Sequence, residues 1–135
     1  PSRLTVANRG LTMNFFFVTA AAIAVFNTGL HFFLGGQQIA RPLLDAQNLS
    51  DKVKYVQYFC WHIATLTLAF QAVLFVVAAI VPGQPSYAII GTALAASVGL
   101  LGLTLPIGLR VGYRIVPQGW LFVPVAALGI AGLVL

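Results

Sequence analysis

Four apolar runs, each near the roughly 20 residues a helix needs to cross a bilayer's hydrocarbon core, divide this 135-residue chain. They cover about residues 11–34, 56–81, 86–109 and 116–135. Gly35-Gly36 is expected to end the first, Pro82-Gly83-Gln84-Pro85 to end the second, and Pro106 to kink the last turn of the third. The runs leave little room for charge. Seven Lys or Arg and two acidic residues make 7% of the chain, against about a quarter in a soluble domain. That composition excludes a soluble enzyme and a disordered tail. The expected fold is all-α, one membrane domain over residues 1–135, an antiparallel bundle of four transmembrane helices.

The net charge of +5 does not point to nucleic acid. The basic residues stand in ones and twos at the ends of apolar runs, with no basic patch and no aromatic-basic interleaving. In that position they orient membrane helices. Arg3 and Arg9 lie on one side; Arg41, Lys52, Lys54, Arg110 and Arg114 lie on the other. The excess places the 35–55 and 110–118 loops in the cytoplasm and both termini outside, in a bacterial inner membrane or, as the alternative, a mitochondrial inner membrane. Pro1 fits removal of an initiator Met, no signal-peptide layout is present, and the apolar run at the C-terminus points to a further tail.

The single cysteine, Cys60, excludes an internal disulfide and any cysteine cage for a metal. No phosphate-binding glycine loop, HExxH or Ser-His-Asp arrangement occurs. With no Glu and both Asp residues in a loop, acid–base chemistry would fall on the histidines.

Polar side chains inside apolar spans are costly unless partnered, so they mark sites or seams. Asn27, His31 and Gly35 form one stripe on the first span; Tyr55, Tyr58, His62 and Thr65 form one on the second, with Thr67 and Gln71 deeper. Antiparallel pairing brings His31 and His62 to similar depth. Two readings follow. In the leading one the histidines are neutral hydrogen-bonding glue, His31 to Asn27 or a second-span partner and His62 to Tyr58 or Thr65. In the other, His31 and His62, with Asn27 and Tyr58 beside them, hold a haem, another tetrapyrrole, a metal or a quinone, and Gly29, Gly35 and Gly36 leave space for a flat ring. Trp61, Tyr55, Tyr58 and Trp120 read as an interfacial belt.

Gly91, Ala95 and Gly99 recur every four residues along the third span, as do Ala88, Thr92 and Ala96. Small residues at that spacing let backbones approach closely, and an intrachain seam is expected before a dimer face. In the 35–55 loop, Ser50 reads as an N-cap with Asp51 in the first turn, and Pro42-Leu43-Leu44-Asp45 as a short interfacial helix. The loop is expected to cap the bundle end, with Arg41 poised to meet Asp45, a lipid phosphate or an anionic ligand group.

The segments His31-Phe-Phe-Leu-Gly35-Gly36, Arg41-Pro42-Leu43-Leu44 and Tyr58-Phe-Cys60-Trp61-His62 resemble a family of uncharacterised small four-helix inner-membrane proteins of bacteria, chiefly proteobacterial. The resemblance covers about the first 80 residues. It implies no activity, only that the two-histidine half is the recognisable part. The composition as a whole leads to a non-catalytic accessory subunit, with lipid and other membrane subunits as partners. A redox or cofactor-binding membrane protein is the alternative.

Overall fold

The computed structural model describes residues 13–81 and 83–135, and all of its regular structure is helical. Arg3, Arg9 and the expected start of the first span at Leu11 lie outside the described residues, as does Pro82.

Helix α1 spans Phe15–Gly29. It starts there because the Asn14 side chain accepts hydrogen bonds from the free N–H groups of Phe16 and Phe17, at 3.0 and 3.4 Å. The other half of that amide donates to the carbonyl of Gly132 at 2.9 Å. One residue therefore caps the first helix and ties it to the C-terminal end of the chain.

The first helix does not stop at Gly35-Gly36. It widens into a π-helix over Leu30–Ala40 and returns to α geometry as α2, Arg41–Asp45. The Arg41 N–H reaches back five residues to the Gly36 carbonyl. Each glycine costs a helix about 1 kcal/mol against alanine, but a chain break in an apolar environment would leave several main-chain groups unpaired, which costs more. The helical run extends from Phe15 to Asp45, 31 residues. The short helix expected at Pro42 is thus its last turns and not a separate interfacial element.

Ser50 caps α3, Asp51–Ile80, with its hydroxyl accepting from the Val53 N–H and Asp51 in the first turn. At 1.5 Å per residue its 30 residues measure about 45 Å. A turn containing Gly83 at φ +77° leads to α4, Pro85–Gly108. Pro85 stands in the first turn, where a missing N–H costs nothing.

Helix α4 ends in a two-bond cap. The Val111 N–H donates to the Pro106 carbonyl and the Arg110 N–H to the Ile107 carbonyl. That pattern requires a left-handed residue, and Arg110 supplies it at φ 57°. The chain then turns back to a 3₁₀ turn at Gln118–Leu121 and helix α5, Val123–Val134. Gly119 packs directly on Gly102, six residues before the end of α4, so the return dips about 9 Å below that end. Helix α5 therefore starts as late as Val123. Three helices are long and apolar enough to cross a membrane; the fourth apolar stretch, Gln118–Val134, is a shorter helical segment.

The helices close a ring in which α1 packs on α3 and α5, and α4 packs on the same two. The interior is built mainly from small residues, among them Ala20, Ala24, Ala72, Ala88 and Ala95, around two rings, Phe17 and the fully buried Phe75. Large side chains point outward instead: Phe26, Phe33, Phe59, Leu66, Phe70 and Leu100 are all exposed. A soluble bundle reverses this distribution.

Candidate functional site

The two histidines bracket one indole. His31 opens the π-helical stretch, and its ring stacks on Trp61 of α3 with centroids 4.9 Å apart and planes at 19°. Its Nε2 lies 3.3 Å from the Trp61 main-chain oxygen. A carbonyl only accepts, so Nε2 carries the proton and donates. The same oxygen accepts from the Thr65 hydroxyl at 3.0 Å. His62 meets Trp61 and Tyr58 edge to face, at 5.1 and 4.5 Å, and Tyr58 lies parallel to Trp61 at 6.2 Å.

Trp61 therefore packs from α3 against the first helix. The flat space expected beside the glycines is taken by this indole: a Cβ on Gly35 or Gly36 would sit 3.8–3.9 Å from it. Each histidine then opens onto its own cavity, and Trp61 lines both. Among the described residues no three His, Cys, Asp or Glu side chains cluster as a metal site, and Cys60 is exposed.

The His62 cavity, about 360 Å³, lies under α2 and is lined by Arg41, Asp45, Tyr58 and Trp61 as well as Phe32 and Leu44. Arg41 and Asp45 come to the same hollow because they stand four residues apart on one helical turn. The segment after Gly36 does reach over the end of α3, as a continuation of the first helix. Its apolar residues are only partly covered: Ala40 is buried, Leu43, Leu44 and Leu49 are half-buried and Ile39 is exposed.

The His31 cavity is larger, about 450 Å³. It lies between the π-helical stretch and the return to α5. Asn27, His31 and Gln38 face it from the first helix, and Arg114 and Gln118 from the connection. The expected His31–Asn27 bond is not made. Asn27 donates instead to the Leu121 carbonyl at 2.8 Å, holding the return against α1. Arg114 and Gln118 escape a sequence reading because nothing in their spacing shows that the connection dips inward. Gln38 lies past the glycine pair where the helix was expected to end.

The remaining polar groups divide between one seam and bonds within single helices. Gln71, 1% exposed, donates to the Gly91 carbonyl at 3.2 Å and joins α3 to α4. Thr19, Thr28, Thr67 and Thr104 each bond the carbonyl four residues back in their own helix. The Gly91, Ala95 and Gly99 stripe faces inward: Gly91 accommodates Phe75, Ala95 is fully buried, and Gly99 accommodates Phe122. Glycines that periodicity did not single out make the tightest approaches, Gly102 with Gly119, Gly129 with Thr92 and Gly132 with Phe17. No family model, curated protein or solved structure matches the chain.

Proposed function

We propose that this chain is a non-catalytic multi-pass membrane protein, a four-helix accessory subunit packed against a larger energy-transducing or transport assembly. The carrying observation is where its polar groups go. Asn14, Asn27, His31 and Gln71 each bond a main-chain carbonyl of another segment. They knit the bundle together and form no line of ionisable groups such as a transporter needs. The outward faces of α1, α3, α4 and α5 carry large apolar side chains, which suits contact with lipid and with other membrane subunits. The basic excess at the α2–α3 and α4–α5 connections favours a cytoplasmic placement of that end, in a bacterial inner membrane of the kind the sequence resemblance suggests.

Gentle extraction of the tagged chain from its native membranes tests this reading. Stoichiometric co-purification of larger membrane proteins is the expected result. A monodisperse monomer with no companion would overturn it. The second reading, a cofactor-binding membrane protein, is favoured by one observation, the 450 Å³ cavity beside His31. An absorption spectrum with a Soret band lost in both His31→Ala and His62→Ala would establish it.

A further inference from the structure

The polar groups around the His31 cavity are unequally satisfied. Asn27 is only 4% exposed, and its amide nitrogen is used by Leu121. Its carbonyl Oδ1 meets no donor among the described residues. Of the buried side-chain oxygens and nitrogens described, Thr92 Oγ1 alone is both sealed off and unpartnered. Asn27 Oδ1 therefore keeps some open surface, and the hollow that Asn27 lines is this cavity. An acceptor that opens only onto this hollow takes its hydrogen bond from whatever occupies it, so the deep end suits a ligand that brings an O–H or N–H donor.

The rest of the lining specifies the other end. Arg114, Gln38 and Gln118 offer N–H donors, which call for an oxygen acceptor. Leu30, Leu34, Leu68 and Phe122 give apolar walls, and the stacked His31–Trp61 pair adds a flat aromatic surface. The volume falls in the range of small-molecule pockets. An acyl chain would set methylenes against Asn27 Oδ1 and leave it unpaired. A flat ring with oxygen at opposite ends satisfies both.

From this we infer that the cavity between the π-helical stretch and the α4–α5 connection binds the headgroup of a lipid-soluble quinol. One ring hydroxyl donates to Asn27 Oδ1, the opposite oxygen accepts from Arg114 with Gln38 or Gln118, and the tail leaves past Leu34 into lipid. The inference concerns binding alone and is independent of the accessory-subunit reading, which is tested by co-purification.

The test uses the full chain in phosphatidylcholine nanodiscs. Trp120→Phe leaves Trp61, in the cavity wall, as the sole indole. Decylubiquinone, which can use only the Arg114 end, should quench its emission saturably but weakly, and decylubiquinol should displace it at a lower concentration than the quinone itself needs, since only the reduced form brings the O–H that Asn27 Oδ1 accepts. Arg114→Gln and the cavity-filling Leu34→Phe should each weaken binding about tenfold or more with an unchanged helical circular-dichroism spectrum. Quenching that is linear, or equal in all variants, reports partition into lipid and overturns the proposal. Saturable displacement by oleate or phosphatidylglycerol, without displacement by the quinol, assigns the cavity to an anionic lipid and overturns it as well.

Discussion

The imidazole of His31 lies on the indole of Trp61 and donates to the carbonyl of that same residue, 4.9 Å away by ring centroids and 3.3 Å by hydrogen bond. Stacking and hydrogen bonding thus act on one partner. They fix the start of the π-helical stretch against the N-terminal half of α3, and the glycines that follow let the indole lie close against the helix. A π segment widens the helix and exposes its carbonyls differently from an α-helix, and such segments concentrate at functional sites. Here it carries His31 and Gln38 to one side, toward Arg114, and Gly36, Arg41 and Asp45 to the other, toward His62.

His31 and Trp61 should therefore be energetically coupled. His31→Ala loses a hydrogen bond of about 0.6 kcal/mol in a membrane bundle and an aromatic pair of about 0.5–1.5 kcal/mol. Trp61→Leu keeps the main-chain acceptor but removes the stack. A double-mutant cycle on unfolding in mixed micelles should give a coupling of about 0.5–1 kcal/mol. A coupling near zero would show that the stack is incidental.

Asn27 holds the return to α5 through the Leu121 carbonyl. Asn27→Leu should destabilise the chain by about 1–2 kcal/mol, because it strips Leu121 of its donor and places a larger side chain at a buried position. Thermal unfolding in detergent measures the loss. Protease cleavage at Arg110 and Arg114 measures the local consequence: it should accelerate in Asn27→Leu and stay unchanged in Thr67→Val, whose hydroxyl bonds only its own helix.

Much of this fold is legible from residue spacing, and what is not has definable causes. The Ser50 cap, the antiparallel α3–α4 hairpin and the inward stripe of α4 all depend on local patterns, and the structure contains each of them. The end of the first helix at Gly35-Gly36 does not occur, because propensity is outweighed by unbroken main-chain bonding and by packing on Trp61. The cavity residues Arg114 and Gln118 depend on a dip of the chain that is set by Gly102 meeting Gly119. That contact pairs residues 17 apart, from different elements, and no helical period encodes it. The histidines were visible as candidates; their separation by an indole was not, since Trp61 has an aromatic's usual place near a span end.

Arg110 offers a stabilising substitution. It sits at φ 57°, a left-handed position that costs a residue with a Cβ about 1 kcal/mol relative to glycine. Arg110→Gly should keep both cap hydrogen bonds and raise stability by about 0.5–1 kcal/mol, the gain reduced by the freer unfolded chain. A modest rise in melting temperature in detergent is the expected reading. Arg110→Ala, which keeps a Cβ, should give no such rise, and equal gains from both would point to charge and not backbone as the cause.

The sharpest steric prediction contrasts two glycines. A Cβ on Gly119 would collide with main-chain atoms of Gly102, and one on Gly102 would lie 2.6 Å from the Gly119 Cα. Backbone cannot yield as a flexible side chain can, so the only response is separation of the return from α4. Pro106 makes this contact available: lacking an N–H, it leaves the Gly102 carbonyl without its usual partner four residues on, and the bare face of Gly119 comes against it. Gly119→Ala should therefore widen the seam, release the Asn27–Leu121 bond and lower stability by about 2–3 kcal/mol, the range of an overpacked core. Gly36 is the control. A Cβ there would lie 3.8 Å from the Trp61 ring, an ordinary contact, and alanine gains about 1 kcal/mol in helical preference. Gly36→Ala should be neutral or stabilising in the same melting assay. Equal tolerance of both substitutions would mean that the return does not rest on Gly102, and the dip that forms the His31 cavity would lose its cause.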